Sequence, residues 1–147
     1  MELYSDEYFM NEALKEAQKA YDADEVPVGA VIVHDTKIIA RAHNLTERLN
    51  DVTAHAEMQA ITSAANYIGG KYLNECVLYV TLEPCPMCAG ALGWSQISKV
   101  VYGAKDKKKG FSKIDYNLLH PKTRVADGIL ATPCGEIMKK FFREKRK

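Results

Sequence analysis

Four residues in two short stretches have the types and spacing that metal-dependent chemistry requires. Cys85 and Cys88 stand three residues apart in "VTLEPCPMCAG", and in "TAHAE" His55 is followed two residues later by Glu57. A Cys-x-x-Cys pair by itself is compatible with a disulfide, a redox dithiol, part of a metal site, or two buried thiols. The rest of the chain has to separate these alternatives.

Length and composition favour an ordinary soluble protein. The chain has 147 residues, 47% of them hydrophobic and 27% charged, which predicts a single domain over residues 1–147 that folds without a disulfide. No apolar run reaches the roughly 18–20 residues of a membrane span, and the start "MELYSDEYFM" lacks the basic and apolar regions of a secretory signal. We therefore expect a cytoplasmic protein with no membrane partner. Thiols stay reduced in the cytoplasm, which disfavours the disulfide.

Basic residues are concentrated in two segments. The formal net charge is only +1, but the last nine residues, "KKFFREKRK", hold six basic groups and one acidic group, and a second cluster, "KDKKKGFSK", spans Lys105–Lys113. On an otherwise acidic chain such segments are compatible with a binding surface for a polyanion such as RNA. They are equally compatible with a solvated chain end and a lysine-rich loop.

The periodicity of the sequence predicts alternating helices and strands. Helices are predicted at 6–21 with Ser5 as N-cap, at 54–67 opened by Asp51 or Thr53, at 86–94, and in the basic C-terminal stretch 136–145. Strands are predicted at 29–34, 37–42, 76–81 and 99–104. The first two strands should form a hairpin, and the helix–strand–helix–strand order that follows favours a three-layer α/β/α sandwich.

These elements can bring the four residues together. Cys85 and Cys88 would share one face at the start of a helix, where the positive end of the helix dipole lowers the pKa of a thiol. His55 would lie at the start of another helix, and two such helices packed side by side can join their N-termini. Three protein ligands leave the fourth tetrahedral position open, which is typical of a catalytic zinc. Glu57 could then serve as the general acid and base for a zinc-activated water.

The two motifs resemble the zinc-dependent nucleobase deaminases, whose pattern is H-x-E followed by P-C-x-x-C. Within that superfamily the chain is most similar to the bacterial tRNA-specific adenosine deaminases. The similarity also covers "EVPVGAVIV", "ARAHN", "KVVYGAKD", "GIL" and the closing "FFR", from about residue 6 to 146. It implies a cytidine-deaminase-like fold with a central mixed sheet of about five strands.

The resemblance also implies roles for individual residues. His55, Cys85 and Cys88 match the ligands of one Zn²⁺ per subunit, and Glu57 matches the proton shuttle. The implied substrate-binding residues are Asn44, which hydrogen-bonds the nucleoside, with Ala56, Val28, Ala30 and Pro84 around the base. Possible RNA contacts are Lys105, Lys107, Lys108, Phe142 and Arg143.

The implied reaction is hydrolytic deamination of adenosine to inosine in tRNA, at the wobble position of the anticodon. The family works as homodimers and needs no organic cofactor. Val52 replaces a proline usual before the His-x-Glu motif, and "LLHPKTRV" (118–125) lacks an asparagine that bacterial relatives often carry there. That segment and the basic C-terminus are where RNA contacts would be expected.

Three alternatives remain open from the sequence. The same zinc site could serve a deaminase of a free base or nucleoside such as guanine, cytosine or cytidine, because pocket shape and flanking contacts select the substrate. A non-catalytic zinc module is disfavoured by Glu57, for which a structural site has no use. A thioredoxin-like dithiol would need neither His55 nor Glu57.

Overall fold

A computed structural model describes residues 4–146 of the chain as a five-stranded sheet with helices on both faces. The helices are α1 (Asp6–Asp22), α2 (Ala56–Ile68), α3 (Pro86–Ser95) and α4 (Ala131–Lys145), with one 3₁₀ turn at Phe111–Lys113. The strands are β1 (Gly29–His34), β2 (Lys37–His43), β3 (Cys76–Leu82), β4 (Lys99–Ala104) and β5 (Arg124–Ala126). The predicted three-layer fold is confirmed.

The sheet is mixed, in the order β2-β1-β3-β4-β5. β1 pairs antiparallel with both β2 and β3, and β4 pairs parallel with β3 and β5. The β1–β2 hairpin turns at Asp35 and Thr36, whose φ angles of 50° and 63° are those of a type I′ turn. Because β3 and β4 are parallel, α3 is the crossover between them, and the loop after Leu82 becomes the edge at which α3 begins.

Two apolar layers hold the helices on the sheet. On one face α2 and α3 pack through Ala56, Ala60, Ala64, Ala89 and Leu92 against residues of β1, β3 and β4. On the other face α1 packs through Phe9, Met10 and Ala13, and α4 through Cys134. Small residues dominate the sheet-facing side of α2, which lets that helix lie close to the strands.

Several element boundaries differ from those predicted. The C-terminal helix begins at Ala131 instead of 136, after Leu130 in the left-handed region (φ 54°). The sequence does not predict strand β5, because this strand is only three residues long and largely exposed, so it carries no apolar signature. Within residues 4–146 no helix is both long and apolar enough to cross a membrane.

Gly29 marks the closest approach of β1 to α1, and it provides a test of the packing. A Cβ atom at Gly29 would overlap backbone atoms of Ala13 and Ala17. We expect Gly29→Ala to lower the free energy of unfolding by about 1–3 kcal/mol or more, because the backbone at Ala13 and Ala17 cannot move away without disrupting the packing of α1. Gly70→Ala is the control, because a Cβ there meets nothing within 4 Å. Urea denaturation measures both, and equal stability of the two variants would contradict this packing.

Candidate metal centre and active site

The candidate site lies at one end of the sheet, beyond the carboxyl end of β3. Because β1 runs antiparallel to β3, with Ala30 opposite Val80, the start of β1 lies at the same end. The end of β2 joins them through the pairing of His43 with Gly29. Ligand sites in α/β proteins commonly form outside the carboxyl ends of the strands. Segments distant in sequence therefore meet at this edge.

Helices α2 and α3 both begin at this end, and their N-cap residues are His55 and Cys85. Both N-caps have extended backbones, with ψ of 157° and 169°. The free N–H groups of two helices therefore point toward one place and make it favourable for negative charge. The predicted start of α2 was two residues early, because Asp51 instead accepts hydrogen bonds from the backbone N–H and the hydroxyl of Thr53 (2.9 and 2.7 Å).

The three predicted ligands are brought together. Nδ1 of His55 lies 3.7 Å from Sγ of Cys85 and 3.5 Å from Sγ of Cys88. Within residues 4–146 these three form the one group of ligand atoms that could hold a metal, all within 4.8 Å of one another. A tetrahedral zinc with ordinary Zn–S and Zn–N bonds separates its sulfur and nitrogen ligands by about 3.6 Å. The spacing and the chemistry of this donor set therefore fit zinc.

The two thiols have opposite pKa shifts. Interaction with the neighbouring Cys88 thiol lowers the pKa of Cys85 to about 4, whereas the Cys85 thiol and burial raise the pKa of Cys88. The same Cys85 thiolate raises the pKa of His55 by accepting a hydrogen bond. Zinc requires both sulfurs as thiolates and a neutral imidazole, so binding must release protons from this group. A zinc ion would thus take the place of the protons that the sulfur and nitrogen atoms hold in its absence.

Glu57 is buried beside the donor set but is not part of it. Its exposed fraction is 4%, and its carboxyl group lies close enough to Cys88 to affect its pKa. Burial raises the pKa of Glu57 to about 7. A carboxyl group in the first turn of α2 is thus held next to the ligands by the helix that provides His55. This is the arrangement a proton shuttle requires.

The predicted substrate-binding residues lie at the same end of the sheet. The backbone N–H of Asn44 donates to the carbonyl of Val28 (3.1 Å), and Asn44 is 6% exposed. Its Oδ1 accepts a long hydrogen bond from the N–H of Thr46 (3.4 Å). Pro84 is buried, and Ala30 and Ala56 lie wholly within the core layer under α2. The roles of these five residues toward a base stay predictions.

The basic segments also flank this end. Lys105, Lys107 and Lys108 are exposed in the loop that follows β4, whose last residue pairs with Leu82. At the end of α4, Arg143 is exposed and Phe142 is 40% exposed. That helix end is tied to the C-terminal end of α1 by a hydrogen bond from Tyr21 to Glu144 and an ion pair of Lys145 with Asp24. Because α1 leads directly into β1, the end of α4 faces the site end of the sheet.

The divergent segment 118–125 lies at the other end. The N–H of Arg124 donates to the carbonyl of Ser98 and Thr123 donates to the carbonyl of Ile97 (3.0 and 2.6 Å), both just before β4. Its pairing with β4 begins at Lys99, the residue farthest from the site. Residues 123–125 therefore lie away from the site, and the expectation of RNA contacts in the 118–125 segment stays a prediction.

Two buried carboxylates near the site were missed by sequence reasoning. Glu25 is 1% exposed and accepts hydrogen bonds from the backbone N–H groups of Glu47 and Arg48 (3.0 and 2.7 Å). Glu83 is 3% exposed and binds another loop in the same way. Glu83 stands between Leu82 and Pro84 in "TLEPC", and Glu25 stands two residues before Pro27 in "DEVPVG". An acid next to apolar residues was the available signal for Glu83, since a charge is rarely buried without a partner.

Comparison with known families agrees with this geometry. Residues 3–104 match the cytidine and deoxycytidylate deaminase zinc-binding region. The chain belongs to this family. It is thus a zinc-binding deaminase, and the match includes His55, Glu57, Cys85 and Cys88 within its bounds. The predicted family resemblance is confirmed.

Individual relatives narrow the comparison. The deaminase is 50% identical to the tRNA-specific adenosine deaminase of Bacillus subtilis (strain 168), over 97% of this chain and 91% of that protein. A solved structure from work on A-to-I editing by tRNA:A34 deaminases matches with a TM-score of 0.84 and 43% identity, covering 88% of this chain and 98% of that one. The guanine deaminase of Bacillus subtilis matches with a TM-score of 0.65 and 42% identity, over 67% of this chain and 64% of that one.

Substitution of the cysteines tests the proposed ligand set. We expect the purified deaminase to hold about one zinc per chain. Cys85→Ser or Cys88→Ser should weaken zinc binding by more than roughly 10- to 100-fold, which is the cost of losing a residue that only hydrogen-bonds a metal ligand. Cys76→Ala is the matched control, because Cys76 is buried in β3 outside the ligand group. Zinc is measured by atomic emission and by competition with a chelator. Full zinc retention in both serine variants would refute this assignment.

Proposed function

We propose that this deaminase converts adenosine to inosine in tRNA, at the wobble position of the anticodon. The observation that carries the proposal is the open His-Cys-Cys donor set with Glu57 buried beside it. It occurs in a chain that is 50% identical, over nearly its whole length, to a protein named tRNA-specific adenosine deaminase. A donor set with three protein ligands suits hydrolysis, because the fourth position is left for water.

Each residue of the site has a role in this reaction. His55, Cys85 and Cys88 would hold the zinc, which when bound lowers the pKa of a water molecule to about 7. Glu57 would accept one proton of that water and deliver it to a ring nitrogen of adenine while the water oxygen bonds to C6. A second proton, from the new C6 hydroxyl, would then pass through Glu57 to the amino group, the C6–N bond would break, and ammonia would leave with a carbonyl at C6, that of inosine. Burial of Glu57 excludes competing solvent from this transfer.

The base would be positioned by the rim of the same pocket. Asn44 would donate or accept a hydrogen bond to the nucleoside, since its side chain lies at the end of β2 with an amide group that can do both. Val28, which is half-buried, would supply apolar surface to the base, and the buried Pro84, Ala56 and Ala30 would shape the pocket from behind it. These contacts orient C6 toward the metal.

The two basic segments favour a polymeric substrate. Lys105, Lys107 and Lys108 on one side, and Phe142 with Arg143 on the other, are exposed at the site end of the sheet. Lysine and arginine side chains bind phosphates, and an exposed phenylalanine can stack on an unpaired base. A free base or nucleoside presents no row of phosphates for these groups.

Deamination of a free base is the second candidate. The likeness to a guanine deaminase at 42% identity favours it, because the two classes share the zinc chemistry. That likeness covers 67% of this chain, however, whereas the tRNA-specific relative is matched over 97%. The tRNA reaction is therefore the stronger candidate.

Product analysis decides between the two. We expect inosine to form in deacylated tRNA, and little ammonia to be released from free adenosine, guanine or cytidine. Glu57→Ala should keep its zinc and fold and lose about 10²- to 10⁴-fold in rate, the usual contribution of a general acid–base group. Nucleosides are measured by chromatography after digestion of the RNA, and zinc by emission.

Two results would contradict these expectations. Turnover of a free base with no inosine in tRNA would replace the leading function by the second one. Normal deamination by the Glu57→Ala variant would remove Glu57 from the mechanism while leaving the substrate assignment intact.

We also infer a cytoplasmic homodimer. Helix α3 is apolar all round, but only part of it packs on the sheet, and its Met87 and Trp94 are 38% and 85% exposed. An apolar helix surface beside the metal ligands suits contact with a second copy of the chain. The cytoplasm follows from the tRNA substrate and from the reduced thiols that zinc requires.

Trp94→Lys tests the dimer. We expect the unsubstituted chain to sediment as a dimer at micromolar concentration and the variant to dissociate at least tenfold more readily, because a charge would be buried at the contact. Tyr67→Lys is the control, since Tyr67 is 55% exposed on α2 rather than α3. A monomeric unsubstituted chain, or equal dissociation of the two variants, would contradict a contact through α3.

A further inference from the structure

Glu83 holds the lysine-rich loop that follows β4. Its Oε1 accepts the backbone N–H of Asp106 and its Oε2 accepts the N–H of Ser112, both at 3.0 Å. The carboxylate is 3% exposed, and among the ion pairs of residues 4–146 it has no basic partner. Backbone N–H groups alone therefore satisfy a buried charge, and both come from one loop.

Gly110 is required by this arrangement. A Cβ atom at position 110 would overlap the carboxylate of Glu83. Gly110 is itself buried, and its N–H donates to the carbonyl of Asp106 (3.0 Å), so the loop folds back over the glutamate. The carboxylate thus occupies the space of the missing side chain and binds the loop on both sides of the glycine.

The same loop is anchored to the metal-binding turn. The N–H of Phe111 donates to the carbonyl of Pro84 (2.9 Å), and Pro84 directly precedes Cys85. The ring of Phe111 packs edge-on against Tyr102, at a centroid distance of 6.1 Å. The far end of the loop is therefore held beside the turn at which α3 begins, independently of Glu83.

Between these anchors the loop presents three consecutive lysines. Oδ1 of Asp106 accepts the N–H groups of Lys108 and Lys109 (3.1 and 3.0 Å), which closes a tight turn. Lys107, Lys108 and Lys109 are exposed, and within the part of the chain that the structure describes they form no ion pair. The turn thus displays three unneutralised charges beside the site.

We propose that Glu83 is a positioning residue for the substrate: by holding the 105–113 loop it fixes Lys107, Lys108 and Lys109 at the entrance of the site, where they bind the phosphates of an RNA strand. This inference rests on the proposed function. Glu83 is not one of the candidate metal ligands. It acts through the loop, so its loss should weaken binding of the polymer more than the chemical step.

Loop order can be measured without any substrate. In Glu83→Gln an NH₂ group replaces one of the two acceptor oxygens, and this group cannot accept a hydrogen bond from a backbone N–H. We expect hydrogen–deuterium exchange to accelerate about 10- to 100-fold at whichever amide, that of Asp106 or Ser112, loses its acceptor, as loss of a charged hydrogen bond predicts. Trypsin should cut the loop faster, while amides of β3 stay protected. Glu75→Gln is the matched control, because Glu75 is an exposed glutamate of the same chain.

Kinetics on tRNA test the role in binding. Glu83→Gln should raise KM with little change in kcat, which identifies a loss of ground-state binding. The dependence of kcat/KM on salt should become shallower by about 0.7 for each RNA phosphate that the lysines no longer neutralise. Replacement of Lys107, Lys108 and Lys109 together by Gln should reproduce both effects without faster exchange, which separates the charge of the loop from its order.

Gly110→Ala should also release the 105–113 loop, because the added Cβ displaces the carboxylate of Glu83 while the glutamate itself is retained. If Glu83→Gln fails to fold, the same measurements on Gly110→Ala test the role of the loop. Unchanged exchange in both variants, or unchanged KM and salt dependence in a chain that is active on tRNA, would overturn this inference alone. Inactivity of the unsubstituted deaminase on tRNA would overturn the proposed function and the phosphate role of the lysines with it.

Discussion

Two helix N-termini must meet within bonding distance of a single ion, and the sheet makes this possible. The ligand atoms of His55, Cys85 and Cys88 lie within 4.8 Å of one another although some thirty residues separate the motifs. Both helices pack on one face of the sheet through small residues, and both begin at the carboxyl end of β3. The rigid strands therefore set the ligand spacing, and the thiolates gain the favourable potential of two helix ends.

The loops at this end are ordered by buried carboxylates rather than by apolar packing. Glu25 binds the backbone N–H groups of Glu47 and Arg48 in the loop before α2, and Glu83 binds those of Asp106 and Ser112 in the loop after β4. A loop rim that admits a polar substrate cannot be covered by a thick apolar layer. Hydrogen bonds from backbone N–H groups to a buried carboxylate hold the loop in one conformation instead, because each of them is stronger than a hydrogen bond between neutral groups.

The residues that carry the chemistry were predictable because they lie in short motifs with characteristic spacing. His55, Glu57, Cys85 and Cys88 are such residues, and strand β4 was located to the residue by its apolar run. Glu25 and Glu83 were not found, since each acts on a loop twenty or more residues away and leaves no local period. The extra turn at the start of α4 was missed because it opens with a left-handed Leu130 and contains Pro133 and Gly135, which oppose a helix in isolation.

The placement of charge relative to the metal accounts for how a shared catalytic centre can serve different substrates. The donor set and Glu57 act on any ring with an exocyclic amine, so they cannot distinguish a free base from a nucleotide in RNA. Discrimination must come from the shape of the base pocket and from the contacts that flank it. In this deaminase two basic segments, 105–113 and the end of α4, lie at the site end of the sheet, while the rest of the chain carries a net negative charge. Under the proposed function, attraction of an RNA would therefore be strongest at the end of the sheet from which a base can reach the metal.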